Sequence, residues 1–482
     1  MPRAVRYGTL TVAAGLMSLV AIGTATAQQP SPGAATVQQP SAGSSPAQPA
    51  GSTDSVTDFW HRDTLTGDWG GGRTWLADHG VTFSMTYTGD LQANVRGGIK
   101  QGAVYDSLLQ PEADFDFQKL IGWQGLTGRI SAVAISGPEL SEGYVGNLMN
   151  VSSIAGRPVI KLYNAWLQQS FAGDSASIRA GVMNADAEFF VSSTALLFVN
   201  STFGWPGILG IDLPGSGPAY PLSAPGVRLK LQPTPKFAIM AAVFSGDPTG
   251  HNGTNSPSVL QPDGTVISFN GGVLAIAEAA LSLNQGKDAK GIPITLKMGG
   301  WYHSSTHFLD QQFDNQGISL ANPDSDDVAR EHDGNWGMYG IVDTMLYRSP
   351  RGDGSGLSAF ARVAGGPDEQ NLVSFYADSG LAYKGLLPQR KDDTLGVAVA
   401  YARISNRARS LDLDMRQFGD LLVPVRNQEI VLELSYQAQI TPWLTLQPDL
   451  QGILNPGGRV ANADGHVRPD ALVVGLRTAV TF

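Results

Sequence analysis

The 482-residue chain contains no cysteine. Thiol catalysis, disulfide frameworks and Cys-ligated zinc are thereby excluded, and an exported chain of this size must draw its stability from the fold alone. Beyond the first 27 residues no stretch approaches the roughly 20 consecutive apolar residues of a membrane helix, so any insertion into a bilayer has to use strands. Positive charge is in deficit: 32 Lys and Arg stand against 42 Asp and Glu, a formal net charge of −10. Loss of Arg3 and Arg6 with a leader lowers this by two, to −12, which disfavours duplex nucleic acid as a partner because that needs a basic footprint. His303, His307, His332 and His466 fall mostly in proposed outer loops, without HExxH or cysteine partners, so no metal or cofactor is expected.

What is present begins with a secretory leader over residues 1–27: Arg3 and Arg6 form the basic region, 10–22 the apolar region, and Ala25-Thr26-Ala27 the cleavage site. Residues 28–56 are rich in Pro, Gln, Ser, Gly and Ala and bury too little to repay ordering, so a disordered linker is expected. Over 57–80, LTGDWGGGRT (65–74) leads into TWLADHG, a short helical stretch stopped by Gly80. GDWGGG has neither the preceding strand nor the spacing of a phosphate loop, which leaves a cap and turn at a barrel mouth.

From 81 to 482 the period is that of strands. In the terminal ALVVGLRTAVTF, Leu472, Val474, Leu476, Val480 and Phe482 share one parity while Gly475, Arg477 and Thr481 share the other. The same two-faced pattern sets Phe83, Met85, Tyr87 and Leu91 against Thr88, Asp90, Gln92 and Asn94, and Leu432, Leu434 and Tyr436 against Glu433, Ser435 and Gln437. Sixteen such strands are expected, the second near 108–119. Short connections (120–125, 172–175, 233–235, 285–291, 441–442) alternate with long ones (137–159, 184–225, 246–272, 304–334, 405–427), which a sandwich has no reason to do and an outer-membrane barrel does. The fold class is therefore all-β: a transmembrane antiparallel β-barrel with a short N-terminal helical segment, bathed by outer-membrane lipid. Its terminal strand, ending on Phe482, is the expected handle for the barrel assembly machinery, and either a monomer or a homotrimer is compatible with it.

The connection 184–225 carries Phe189, Phe190, Leu196, Phe198, Phe203 and Trp205, too many apolar side chains for a solvated loop. It is expected to fold into the lumen and narrow it, bringing Asp186 and Glu188 toward the channel.

LTGDWGGGRT, GDLQANVRGG (89–98), LIGWQGLTG (120–128), LYNAWLQQSF (162–171), LLFVNSTFGWP (196–206), YPLSAPGVRL (220–229) and PWLTLQPDLQGILNPGG (442–458), in this order, resemble the carbohydrate-selective porins of Gram-negative outer membranes, the OprB type. The resemblance covers about 65–482 and implies passive entry of glucose and related sugars through a constriction lined by charged and aromatic side chains. Asn164 and Gln168 stand where members of that family often carry glutamates, a departure that bears on the sugar preference.

On that reading the channel candidates are Arg129, Arg179, Arg228, Lys230 and Lys297 on the polar parity, with Asp114 and Asp116, and Glu433 and Asp449 also inward. Trp301, on the parity of Lys297, offers a ring for the carbon side of a sugar. Two classes compete with a sugar channel. A glycosidase could use Asp114, Asp116, Asp186, Glu188, Asp343 or Asp449, but a water-filled lumen lacks the apolar pocket that keeps one carboxyl protonated, so no enzyme is expected. A general or anion-selective porin of the same fold remains open.

Overall fold

In a computed structural model the chain is described over residues 59–249, 269, 271–285, 291–351, 354–419 and 423–482; the leader 1–27 and the linker 28–56 lie outside the described residues. The strands are β1 (Val81–Arg96), β2 (Gly102–Asp116), β3 (Leu126–Ser136), β4 (Val159–Phe171), β5 (Ala176–Met183), β6 (Ala224–Thr234), β7 (Phe237–Ser245), β8 (Val273–Leu283) and β9 (Ile294–His303). They continue with β10 (Phe308–Asp314), β11 (Ala329–His332), β12 (Asn335–Arg348), β13 (Gly356–Gly365), β14 (Val373–Lys384), β15 (Thr394–Ile404), β16 (Gln428–Thr441), β17 (Leu444–Leu454) and β18 (Ala471–Thr481). Sixteen of them close into one barrel in which sequential neighbours pair, while β10 and β11 form a separate hairpin.

Closure is made by β1 and β18, antiparallel from Thr86↔Thr481 to Arg96↔Leu472, and the Phe482 amide donates to Met85 O at 2.8 Å. With every barrel strand paired on both sides, the backbone hydrogen bonds are met within the sheet, as a bilayer requires. The alternation fixes which face is outside. Leu432, Leu434, Leu450, Val474 and Leu476 are exposed, whereas their neighbours Glu433, Ser435, Gln451 and Arg477 are buried. Polar side chains thus line the interior and apolar ones the outer wall.

One expectation is corrected by local chemistry, and two long connections carry structure of their own. The second strand spans Gly102–Asp116 rather than 108–119, because Asp116 accepts the amides of Gln118 (3.0 Å) and Lys119 and so caps a short helix, Phe117–Ile121. The long connection 304–334 contains the hairpin β10–β11, and 405–427 contains a helix, Asn406–Phe418, capped by Ser405. These two connections pack on each other, with Gln312 Nε2 and Ser319 Oγ both donating to Asp414 Oδ2.

At the end with the short turns, the helix Gly72–Asp78 precedes β1. Gly80 is required between them: its φ is +89°, a Cβ there would stand 2.6 Å from Asp116 O, and the Asp116 amide donates to Gly80 O at 2.8 Å, which holds the two backbones together. The largest buried apolar side chains lie inside the barrel, in the connections 137–158 (Leu140, Met149) and 184–223 and on the inward face of the strands they meet.

Candidate channel constriction

The connection 184–223 leaves β5 and folds through turns at Ala195–Leu197 and Ser201–Phe203 and a helix at Gly207–Asp212. Its aromatic side chains pack on inward-facing rings: Phe190 stacks on Tyr339 at 4.1 Å, and Phe198 and Phe203 flank Phe360 at 6.1 and 6.3 Å. Polar wall residues hold its backbone. Glu278 accepts the Phe190 amide (3.0 Å) and the Tyr339 hydroxyl (2.9 Å), and Glu433 accepts the amides of Val199 (2.6 Å) and Asn200 (2.9 Å). Asp343 accepts the Ser192 hydroxyl at 2.6 Å, and Gln447 donates to Leu197 O at 2.7 Å. Arg362, fully buried and ion-paired with Asp378, donates to the carbonyls of Phe190 (3.1 Å) and Thr202 (2.9 Å). Every one of these partners sits on β8, β12–β14, β16 or β17, so the segment is fastened to one half of the barrel's inner wall.

The facing half carries a continuous charged strip. Arg129 makes a two-armed pair with Asp114 (Nε–Oδ1 2.6 Å, Nη2–Oδ2 2.9 Å) and approaches Glu112 at 3.6 Å. The Arg179 guanidinium carbon lies 3.9 Å from the centre of the Trp166 ring, with that of Arg129 5.9 Å from it. Arg179 and Arg228 both donate to Gln168 Oε1, at 2.9 and 2.8 Å, and both meet Glu188, at 3.4 and 2.8 Å. Burial alone would raise the Glu188 carboxyl, but Arg179 and Arg228 together hold it below its ordinary value.

Beside this strip is a cavity of about 310 Å³ lined by Thr86, Thr88, Gln110, Tyr163, Asn164 and Asp186 among others. The rest of the lining is largely apolar, with Leu108, Leu148, Met149, Ile154, Trp205 and Leu222. Asp186 accepts the Tyr220 amide at 2.9 Å and a hydrogen bond from Asn184, and burial pushes its carboxyl up to about 6.

Arg129, Arg179, Arg228, Asp114 and Glu188 therefore come together in one strip, with Lys230 close enough to act on the Glu188 charge. Asp186 reaches the cavity. Lys297 points inward but is taken up by the inner segment: its ammonium donates to Val191 O at 2.8 Å and lies 3.5 Å from Glu278. Trp301 is a correction: the ring is inside the barrel but only 5% exposed, next to Tyr339 and within the core that the segment completes, so it offers no free face to a sugar. Asp116 is another, since it caps the Phe117–Ile121 helix at the short-turn end. Glu433 and Asp449 do face inward, but Glu433 is occupied by the segment's amides and Asp449 by Gln451.

Sequence reading missed Glu112, Trp166 and the pair Arg362–Asp378. Glu112 lies two residues before Asp114 on its parity, so the signal was there; Arg362–Asp378 needed the β13–β14 register, which places the two directly opposite.

A family model described as "Carbohydrate-selective porin, OprB family" matches residues 100–482. The chain is 25% identical over 441 residues to Porin B of Pseudomonas aeruginosa, covering 87% of this chain and 91% of that one. A solved structure of Pseudomonas putida OprB at high pH superposes with a TM-score of 0.76 at 26% identity, covering 88% of this chain and 99% of that one. Proteins of this fold and family are channels rather than enzymes. Because the family model spans nearly the whole barrel, the chain belongs to the OprB family of carbohydrate-selective porins, barrels of the Gram-negative outer membrane.

Proposed function

We propose that the protein lets glucose and related neutral sugars diffuse passively into the cell along the water path between the inner segment and the β2–β6 wall, with the segment as its narrowing element. The observation that carries this reading is charge pairing: Arg129, Arg179 and Arg228 each meet a carboxylate, from Glu112, Asp114 or Glu188. A strip so balanced presents dipoles rather than a net field, which favours neutral solutes over ions. Sugar hydroxyls donate and accept, so guanidinium, carboxylate and amide groups can replace the hydration a hexose sheds. The exchange also remains weak enough for the sugar to leave. Gln168 suits this role, because its neutral amide oxygen joins two guanidiniums without adding a charge to the strip. On the same reading, we propose the C-terminal strand ending on Phe482 as the handle for the barrel assembly machinery.

Planar-bilayer recording in the presence of glucose tests the proposal. Glucose in the path should reduce the single-channel ion current in a saturable way, and a current indifferent to glucose up to high concentration would refute it.

A further inference from the structure

The motif LTGDWGGGRT and the helix that follows it contribute nothing to the charged strip, yet they are rich in exposed indole. We propose that this segment and the β2–β3 turn form a collar outside the barrel wall, seated in the phospholipid headgroup layer at the periplasmic end.

The collar's placement follows from what its side chains touch. Trp69 packs against Phe83 with ring centres 5.7 Å apart, and Phe83 shares the lipid-facing parity of β1 with Met85, Tyr87 and Leu91. Arg73 donates to Phe83 O at 3.2 Å and lies over the Trp69 ring, at 4.3 Å. Gly70 and Gly71 take left-handed conformations, φ +66° and +96°, that let the chain turn into the Gly72–Asp78 helix at this edge. That helix is tied to the β2–β3 turn, since Lys119 Nζ donates to Ala77 O at 2.8 Å. From the same turn Trp123 donates to Gln169 Oε1 at 2.9 Å, and Gln169 stands between Leu167 and Phe171 on the outer parity of β4.

Trp75, Ile121 and Trp123 are 59%, 67% and 52% exposed. An isolated exposed ring needs no explanation, but a group continuous with the lipid-facing wall does. Water is a poor medium for it, and the hydrocarbon core would strand its polar atoms. The interface accepts both, with the ring toward the acyl chains and the N–H toward water and headgroups. Arg73 and Lys119 bring positive charge to the depth of lipid phosphates; of the collar's carboxylates, Asp68 and Asp116 are occupied by Thr74 and by the Phe117–Ile121 helix, and Asp78 is exposed at the end of its helix.

The absence of cysteine makes the test clean. Trp75→Cys and Ile121→Cys each give one attachment point for a bimane fluorophore, and Asp392→Cys, exposed in the 385–393 turn, gives an aqueous reference. The full chain is refolded into phosphatidylcholine–phosphatidylglycerol vesicles containing a headgroup-nitroxide lipid, with iodide on both sides as the competing quencher. The collar predicts loss of most emission at 75 and 121 to the nitroxide lipid and little to iodide, with the opposite order at 392. Iodide quenching at 75 and 121 equal to that at 392 would overturn the proposal, as would protection of both sites from both quenchers, which would mean that protein covers them. Two sites on different elements keep the test decisive if one labelled variant fails to fold.

Discussion

Arg228 of β6 and Glu188 of the inner segment are joined by two parallel hydrogen bonds, Nε–Oε2 at 2.8 Å and Nη2–Oε1 at 2.9 Å, with both side chains buried. The pair ties the segment to the charged strip, whereas the segment's other hydrogen bonds run to the far wall and to the connection 137–158, as from Ser201 N to Asn150 O at 2.9 Å. Replacing Glu188 with Gln leaves Arg179 and Arg228 without their carboxylate. Breaking a buried pair in this way costs about 3–5 kcal/mol. Glu188→Gln should lower the unfolding temperature in detergent and shift the reversal potential in a salt gradient toward anions; an unchanged reversal potential would mean that this charge does not face the ion path. Since the Glu188 carboxyl is held below its ordinary value, the pair's contribution is present above the unfolded value of about 4.3 and is lost only as pH falls through the lower folded value.

Asp186 behaves oppositely. Its carboxyl is pushed up to about 6 by burial, so the folded state holds a proton that the unfolded chain releases near pH 3.9. The associated stability is present below that value and disappears as pH rises through about 6. Asp186→Asn should therefore stabilise the protein at pH 7, by up to roughly 3 kcal/mol, and leave it nearly unchanged at pH 4. Thermal melts at the two pH values decide; equal effects at both would place the origin elsewhere.

Removing residues 196–205 takes away the groups that Glu433, Gln447 and Arg362 hold. If the shortened protein still assembles, its single-channel conductance should rise well above that of the parent. No rise would show that the narrowest point is formed by other residues.

Leu434 is exposed on the outer wall and Gln110 lines the cavity. A cation on the lipid face near the midplane costs about 2–4 kcal/mol, so Leu434→Arg should impair refolding into vesicles, whereas Gln110→Arg, next to Glu112, should be tolerated. Equal loss of refolding yield would contradict the assignment of faces.

Much of the barrel was legible because a strand buried against water on one side and lipid on the other has to alternate; Leu432–Glu433–Leu434–Ser435 shows both faces in four residues. Arg129, Arg179 and Arg228 were visible for the same reason. Parity, however, says only that a side chain points inward, not what it meets there. Trp301 and Lys297 share the inward parity of the arginines, yet they lie under the inner segment, and Gln437, on the inward face of β16, is buried there too. Which half of the wall the segment covers depends on contacts such as Glu278 to Phe190 and Glu433 to Val199, between residues 88 and 234 positions apart, and no local pattern encodes them.

The central claim is that a charge-balanced strip passes neutral sugars in preference to ions of similar size. Liposome swelling in isotonic glucose and gluconate measures this directly, for the wild type and for Glu188→Gln. Glucose should enter the wild type faster than gluconate, and the difference should shrink or reverse when the carboxylate is removed. Gluconate entering the wild type faster than glucose would contradict the account.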